Sequence, residues 1–250
     1  MIVVDGARVI YPNGTEALQP CALRFAPGAF TVLLGASGAG KSTLLRSLNG
    51  LVRLSEGRIT AEGRDITTAL RWHRARTGMI FQQHQLIGRR TVLANVLMGR
   101  LGHHSALRTL LPWSLAEKRL ALTAIERVGL LDYALRRADQ LSGGQQQRVG
   151  IARALVQQPS TILADEPVAS LDPATAERVL AQLHAICRQD GLTAIVSLHQ
   201  LDLARRFADR IIGIAGGAVV FDGPPHALGG AETARIYGTT PQPEHALEIA

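Results

Sequence analysis

The chain has 250 residues, of which 46% are hydrophobic and 19% are charged, and its formal net charge is +7. This composition predicts a globular fold rather than disorder, and no apolar run approaches the roughly 20 residues that cross a bilayer. Nucleic acid or an anionic membrane could explain the positive charge, but the arginines are scattered and only 4% of residues are aromatic, so we interpret it as solvated surface and expect no nucleic-acid partner.

Two further features bear on the cellular compartment. Cys21 and Cys187 lie far apart without metal-type spacing, which favours ordinary reduced thiols over a disulfide or a metal site. Residues 1–5 contain no basic segment followed by an apolar run, so we expect no secretory signal. Both observations favour a protein of the cytosol.

The first third of the chain has the pattern of a β-rich layer. Apolar and β-branched runs predict strands at residues 2–11, 15–18, 22–25, 31–34 and 58–61. Glycine and proline close these runs, and Glu56-Gly57 is predicted to be the turn before the last strand. The strand at 31–34 is expected to be buried.

A glycine-rich loop follows this buried strand. Gly35 to Ser42 have the spacing G-x-x-x-x-G-K-S, and a helix is predicted from Thr43. The glycines allow backbone N–H groups to approach an anion, and the helix directs its positive end to the same place. Lys41 supplies a charge for the β- and γ-phosphates of a nucleotide, and Ser42 a hydroxyl for Mg²⁺. The candidate ATP-binding residues are Gly35, Ala36, Ser37, Gly38, Ala39, Gly40, Lys41, Ser42 and Thr43.

Helical patterns replace strands between residues 83 and 158. The motif Ser114-x-x-Glu117 predicts a capping box, and the helix that it begins can run to Gly129. An excursion at residues 99–113 precedes this helix and contains the pair His103-His104. Two adjacent histidines can bind a metal, but without partners in sequence they are more typical of a surface, which we favour.

The last third of the chain returns to alternating strands and helices. Strands are predicted at residues 161–164, 193–198, 211–214 and 218–221, the last two as a hairpin. Asp172-Pro173 predicts the N-cap and first residue of a helix that ends at Gly191. From Gly223 onward the chain is rich in turns, and we expect its last ten residues to be loose.

An acidic pair closes the strand at 161–164. Asp165 lies where a parallel α/β sheet presents its ligand groups, and its carboxylate can hold Mg²⁺ through water. A second carboxylate beside it, that of Glu166, is electrostatically unfavourable because like charges repel, so we expect Glu166 to have a function. The function that we assign to it is to position and polarise the water that attacks the γ-phosphate. The alternative is a surface cap or ion pair, and the phosphate loop favours the catalytic role.

A second candidate anion site lies at Leu141-Ser142-Gly143-Gly144-Gln145. Ser142 is predicted to cap a helix from about Gly144 to Gln157, and the two glycines expose backbone N–H groups at its start. Since the chain already contains a complete phosphate loop, this site is expected to serve a second nucleotide or a partner's nucleotide.

These motifs resemble those of the ATPase subunits of ABC transporters. The resemblance covers nearly the whole chain and consists of six segments in the family's order: Tyr11, Gly35 to Ser42, Gln82 in Ile80-Phe81-Gln82-Gln83, Leu141 to Gln145, Ile162 to Glu166, and His199. It implies a head-to-tail homodimer that holds two ATP molecules. Each ATP would lie between the phosphate loop of one subunit and Ser142, Gly143, Gly144 and Gln145 of the other.

The resemblance also implies roles by position. Tyr11 would stack on adenine, unless it is a core tyrosine at a strand end. Gln82 would touch Mg²⁺ and water and sense a membrane partner. His199 would hydrogen-bond the γ-phosphate, although a histidine after a strand is more often a packing residue or a cap. Asp172 would lie at the dimer seam, where this chain has Ala169-Ser170 and many family members have Ser-Ala, so the usual serine contact is in doubt.

Together these features predict one ABC ATPase domain of the α/β class. It would combine a parallel core sheet, an antiparallel β layer and an inserted helical subdomain. The predicted parts are a core at 1–82 and 159–222, a helical subdomain at 83–158 and a C-terminal tail at 223–250. Three features look like the phosphonate-importer ATPase in particular: the segment Ala164 to Pro173, the pair His199-Gln200 and the 99–113 excursion.

The predicted function is ATP hydrolysis that drives import of phosphonates or related phosphorus oxyanions. The expected partners are a second copy of the chain, two integral membrane permease subunits and, indirectly, an extracytoplasmic solute-binding protein. The chain would lie peripherally at the cytoplasmic face of the cell inner membrane. The alternatives are an importer ATPase for another solute, such as a polar amino acid or phosphate, and a soluble ABC ATPase that acts on nucleic acid or ribosomes.

Overall fold

The computed structural model describes residues 1–83, 85–105 and 111–238 of the chain. Its strands are β1 (Ile2–Ile10), β2 (Glu16–Phe25), β3 (Phe30–Leu34), β4 (Glu56–Ala61), β5 (Arg64–Asp65), β6 (Thr77–Ile80), β7 (Thr161–Ala164), β8 (Thr193–Leu198), β9 (Arg210–Ala215) and β10 (Ala218–Gly223). Its α-helices are α1 (Lys41–Leu48), α2 (Leu70–Ala75), α3 (Val92–Leu97), α4 (Leu115–Arg127), α5 (Gly143–Leu155), α6 (Pro173–Asp190), α7 (Leu201–Phe207) and α8 (Gly230–Tyr237).

The strands of the described residues form two sheets. One has the order β10-β9-β3-β8-β7-β6, in which β9, β3, β8, β7 and β6 run parallel and β10 is antiparallel to β9. The other is antiparallel, with the order β2-β1-β4-β5. The predicted α/β fold, with a parallel core sheet and an antiparallel layer, is confirmed.

The central strand β3 lies between two hydrophobic cores. Val32 and Leu34 belong to the core that includes Val96 of α3, whereas Leu33 belongs to the core that includes Leu44 of α1. Consecutive side chains of a strand point to opposite faces, so a strand covered on both sides needs an almost unbroken apolar sequence. This requirement explains the apolar run, and its predicted burial is confirmed.

The prediction of two short strands at 15–18 and 22–25 is wrong, because β2 is one continuous strand. Pro20 lies inside it and is exposed. Proline cannot donate a ladder hydrogen bond, but β2 is the edge of its sheet, where a missing donor is tolerated. The pairing with β1 shifts by one residue between Leu18 and Cys21, so the proline sits in a bulge.

The turn predicted at Glu56-Gly57 is also wrong, because both residues belong to β4. Gly57 has a φ of +81°, and a Cβ atom there would lie 2.2 Å from the carbonyl oxygen of Gly6 in β1. The glycine therefore marks a close approach between two strands rather than a turn.

The turn-rich tail predicted from Gly223 is wrong in part, because α8 forms within it. The last ten residues, predicted to be loose, lie outside the described residues.

The helices α3, α4 and α5 pack on one another in the region that is predicted to form the helical subdomain. Its boundaries at 83 and 158 stay a prediction. Ser114 caps α4, as predicted, and its hydroxyl accepts a hydrogen bond from the N–H of Glu117 at 3.2 Å. The carboxylate of Glu117 does not complete a capping box, because it binds Arg100 at 2.8 Å and His104 at 2.9 Å instead.

The two adjacent histidines differ in environment. His103 is exposed, in line with the surface interpretation, but His104 is half-buried. The ring of His104 packs edge-on against Trp113 with the centroids 5.7 Å apart. The surface interpretation is therefore wrong for His104, whose ring makes an aromatic contact with Trp113 and a hydrogen bond with Glu117. Part of the 99–113 excursion, residues 106–110, lies outside the described residues.

Candidate nucleotide-binding site

The loop between β3 and α1 is held between two strands. A Cβ atom on Gly35 would lie 2.3 Å from the carbonyl oxygen of Ile214 in β9, and one on Gly40 would lie 2.6 Å from that of Ala17 in β2. Gly40 also has a φ of +109°, which disfavours any other residue. The middle of the loop, residues 36–38, is exposed. The glycine spacing therefore follows from the two points where the loop touches its neighbours.

Lys41 is the first residue of α1 and is only 3% exposed. Its Nζ atom donates hydrogen bonds to the carbonyl oxygens of Gly35 and Ala36 at 2.8 and 2.9 Å. It also lies 3.5 Å from Oε1 of Glu166. The loop thus presents one ammonium group together with the N–H groups of the first helical turn. This combination favours a phosphate.

Ser42 and Asp165 meet across the site. Ser42 Oγ donates a hydrogen bond to Asp165 Oδ1 at 2.6 Å, and Arg46 donates to Oδ2 at 3.3 Å. Asp165 is only 2% exposed. Mg²⁺ selects oxygen ligands and is usually bound by one or two protein groups together with phosphates and water. A hydroxyl and a carboxylate next to a phosphate cradle therefore fit this ion.

Glu166 has an uncommon backbone conformation. Its φ is +46°, in the left-handed region, which costs a residue with a side chain about 1–2 kcal/mol. Its N–H donates a hydrogen bond to Ser197 Oγ at 2.8 Å, and its carboxylate faces Lys41. Conformations of this kind are concentrated at functional sites. In this chain, the residue with this conformation also places its carboxylate beside Lys41 of the phosphate loop.

The parallel sheet places Gln82, Glu166 and His199 together at the carboxyl ends of its strands. The strands β6, β7 and β8 are parallel neighbours, and the three residues follow their carboxyl ends. Gln82 and His199 are exposed, and the side chain of neither forms a hydrogen bond within the described ranges. The backbone oxygen of His199 accepts one from the hydroxyl of Tyr237 at 2.7 Å. The predicted contacts of both residues with nucleotide stay a prediction.

Tyr11 lies beside the start of α1. Its hydroxyl is 3.3 Å from Oγ1 of Thr43, and its ring packs partly against the core beneath the antiparallel sheet. The side chain is half-buried, so part of the ring faces solvent near the phosphate loop. Stacking on adenine stays a prediction.

The second candidate anion site lies at the start of α5. Ser142 Oγ accepts from the N–H of Gln145 at 3.4 Å, and Gln145 Oε1 accepts from the N–H of Ser142 at 2.9 Å, which completes a capping box. This segment lies close to the start of α6, since a Cβ atom on Gly144 would lie 2.6 Å from Cγ2 of Thr175. Asp172, the predicted N-cap of α6, accepts from the N–H of Thr175 at 3.0 Å. The phosphate loop instead touches β2 and β9, so the two anion sites occupy different places in one chain.

Two residues at the site were missed by the sequence argument. Arg46 binds Asp165, and Ser197 binds both acidic residues. The signals are weak: Arg46 follows Ser42 by one helical turn, and Ser197 is a polar residue near the end of an apolar strand.

A groove of about 970 Å³ lies beside the segment that begins at Gln82. Its apolar lining includes Leu51, Leu70, Met79, Phe81, Met98 and Leu101, and Arg71, Arg74 and Arg153 add positive charge. Residues 98, 99 and 101–105 form one wall. Arg100, within the same segment, and His104 bind Glu117 of α4. We call these three residues the Arg100 cluster. No helix among the described residues is long and apolar enough to cross a membrane.

Comparison with known proteins agrees with this geometry. A family model described as ABC transporter matches residues 18–169. The phosphite import ATP-binding protein PxtA of Stutzerimonas stutzeri is 59% identical over 247 residues, which cover 97% of this chain and 90% of that protein. The phosphonates import ATP-binding protein PhnC of Bacillus thuringiensis subsp. konkukian is 50% identical and covers 100% of this chain and 99% of its own length.

A solved structure also agrees. The dimeric ATP-binding cassette MJ0796, bound to ADP and phosphate, has a TM-score of 0.79 and 32% identity, with coverage of 90% of this chain and 99% of that chain. From the loop geometry, the acidic pair and these similarities, we conclude that the chain belongs to the ABC transporter family, as one of its ATP-binding, ATP-hydrolysing subunits.

Proposed function

We propose that the chain hydrolyses ATP to drive import of phosphonates or related phosphorus oxyanions. The observation that carries this proposal is similarity along the whole chain: relatives with 50–59% identity are import ATP-binding proteins for phosphite or phosphonates. The residues aligned with these relatives include those that line the groove as well as those of the nucleotide site. In our proposal, the groove is the surface that recognises a particular permease.

In the proposed mechanism, the phosphates of ATP lie in the loop at 35–40. Lys41 balances the charge of the β- and γ-phosphates, while Ser42 and Asp165 hold Mg²⁺. This ion, when bound, supplies further charge neutralisation at the phosphate oxygens. Glu166 orients the attacking water and accepts its proton. The observed position of its carboxylate beside Lys41 supports this role.

Three further residues complete the proposed site. Gln82 contacts Mg²⁺ and water, His199 hydrogen-bonds the γ-phosphate, and Tyr11 stacks on adenine. In support, Gln82 and His199 follow β6 and β8, the parallel strands on either side of β7, which Glu166 follows. Tyr11 lies beside Thr43, directly after the phosphate loop.

The chain is proposed to act as a head-to-tail homodimer. Ser142 and Gly143 are exposed at the start of α5, which leaves this segment open to contact from a second copy of the chain. Each ATP would lie between one phosphate loop and the segment Ser142-Gly143-Gly144-Gln145 of the second copy, with Asp172 at the seam. The dimeric MJ0796 cassette with bound ADP and phosphate supports this arrangement.

The groove beside Gln82 is proposed to receive a cytoplasmic segment of a permease. Its apolar lining and its arginines suit an amphipathic helix with acidic residues. The full assembly would contain two integral membrane permease subunits, and an extracytoplasmic solute-binding protein would deliver the solute to them. The chain would then lie peripherally at the cytoplasmic face of the inner membrane.

Growth on defined phosphorus sources tests this proposal. A strain that lacks the chain is complemented with wild type or with Lys41→Ala and grown on methylphosphonate, phosphite or phosphate. We expect the Lys41→Ala strain to fail on at least one of the first two sources and to grow on phosphate. Equal growth of both strains on every source would overturn the phosphonate assignment. Co-purification with nucleic acid instead of a membrane protein would favour a soluble ABC ATPase.

A further inference from the structure

We propose that Ser197 is a positioning residue that sets both acidic side chains of the ATPase site. It lies near the carboxyl end of β8 and is fully buried, with a relative exposure of 0%. The inference rests on the roles proposed above for Asp165 and Glu166. It concerns the residue that holds them in place.

The hydroxyl of Ser197 uses both of its hydrogen-bonding capacities at the end of β7. It accepts a hydrogen bond from the N–H of Glu166 at 2.8 Å and donates one to Oδ1 of Asp165 at 3.1 Å. The carbonyl oxygen of Ala164 is farther away, at 3.5 Å. A hydroxyl has one proton and can accept at the same time. One side chain therefore contacts both acidic residues simultaneously.

The contact with Asp165 bears on the orientation of its carboxylate. Two hydroxyl groups, those of Ser42 and Ser197, donate to Oδ1, and Arg46 donates to Oδ2. If the hydroxyl of Ser42 turns toward a cation, Ser197 remains as a donor to that oxygen. Hydrogen bonds to charged groups are the stronger kind, so Ser197 can keep the carboxylate in one orientation.

The contact with Glu166 bears on its backbone. The left-handed φ of +46° persists only where the surroundings enforce it. The N–H of Asp165 is held by the carbonyl oxygen of Ile80 at 2.8 Å, and the next N–H, that of Glu166, is held by Ser197. Without this hydroxyl the peptide of Glu166 can relax, and its carboxylate would move away from the phosphate loop.

A matched pair of variants tests the proposal. Ser197→Thr and Ser197→Val have nearly the same shape, and both residues suit a strand, so they differ mainly in the hydroxyl. Purified full-length protein is assayed for ATP turnover, and for Mn²⁺ binding in the presence of ADP by electron paramagnetic resonance. We expect Ser197→Val to lower kcat and to weaken Mn²⁺ binding by about 10- to 100-fold each, the range for loss of one hydrogen bond to a charged group. Ser197→Thr should restore both quantities.

Equal values for the Thr and Val variants would overturn the proposal, because packing alone would then explain the effect. Ser197→Ala removes the hydroxyl without added bulk and gives the same comparison if the larger residues unfold the protein. Glu166→Gln separates this proposal from the proposed role of Glu166. Normal turnover of that variant would reject Glu166 as the water-positioning group, whereas the Mn²⁺ measurement would still test the contact of Ser197 with Asp165.

Discussion

Replacing Glu117 by Gln tests how the wall of the groove is held. The substitution keeps the shape of the side chain but removes the carboxylate that binds both Arg100 and His104. Arg100 and Glu117 are only 9% and 8% exposed. The variant would leave the guanidinium of Arg100 buried without the carboxylate that balances its charge, although the carbonyl oxygen of Val156, at 3.3 Å, would still accept a hydrogen bond from it.

The size of the effect follows from this burial. Removing one partner of a buried ion pair costs about 3–5 kcal/mol, because the other charge stays buried without compensation. The amide oxygen of Gln still accepts one hydrogen bond, so we expect the lower end of this range. For a domain of this size each kcal/mol corresponds to about 2–4 °C, so Tm should fall by about 6–12 °C.

The contribution of Glu117 also has a definite pH dependence. Burial by itself raises the pKa of this carboxyl, but its hydrogen bonds and charge interactions with Arg100 and His104 outweigh burial and hold the pKa below the ordinary value of 4.5. A lowered pKa in the folded state means that the stabilisation is present above the ordinary value and is lost as pH falls through the folded value. The difference in unfolding free energy between wild type and Glu117→Gln should therefore shrink in acid.

The assay is thermal and urea unfolding, followed by circular dichroism at neutral and acid pH. Glu126→Gln is the matched control, because Glu126 is an exposed glutamate on the same helix. ATP hydrolysis by the isolated subunit should remain close to wild type at low temperature, since the Arg100 cluster borders the groove. A Tm within about 2 °C of the Glu126→Gln control would refute the reasoning.

Three further predictions concern the nucleotide site. Glu166→Gln should lower hydrolysis by about 10²-fold or more while the protein still binds ATP and dimerises on gel filtration; near-normal turnover would remove Glu166 as the water-positioning group. Gly40→Ala should abolish binding of a fluorescent ATP analogue, because its Cβ would lie 2.6 Å from the carbonyl oxygen of Ala17; wild-type affinity would contradict the steric argument. Asp172→Ala should lower the free energy of unfolding by about 1 kcal/mol through loss of the N-cap. Asp172→Asn should retain that stability in urea unfolding, and equal loss in both variants would argue against a capping effect.

The elements that were correctly predicted depend on short-range patterns. The apolar face of α6 is recognisable from its helical spacing, because Ala176, Val179, Leu180, Leu183, Ile186 and Cys187 recur at intervals of a helical turn and are all buried. The phosphate loop and the acidic pair were recognisable because strand, glycines and helix follow one another directly in the sequence. In each case the residues that determine the structure lie within a few turns of one another.

The incorrect and missed predictions concern residues whose structure is determined by contacts distant in sequence. Glu117 has the spacing of a capping box, but Arg100 is buried and needs a carboxylate more than the helix terminus does. Pro20 interrupts the apolar pattern of β2, yet its position at a sheet edge removes the penalty. Ser197 was not predicted because its hydrogen-bond partners, Asp165 and Glu166, follow the neighbouring strand β7 and are distant in sequence. These outcomes depend on contacts between distant segments, which a local pattern does not contain.

The attachment of the phosphate loop to β2 and β9 has a consequence for affinity. The N–H of Gly217, in the β9–β10 turn, donates to the carbonyl oxygen of Ala39, and Gln19 of β2 donates to Gly216 in the same turn. The loop is therefore shaped by its surroundings before any ligand arrives, and little conformational entropy is lost when phosphate enters. A substitution in the β9–β10 turn, which is far from the phosphate loop in sequence, would therefore weaken nucleotide binding by loosening the preformed loop. The substituted residue itself would contact no nucleotide.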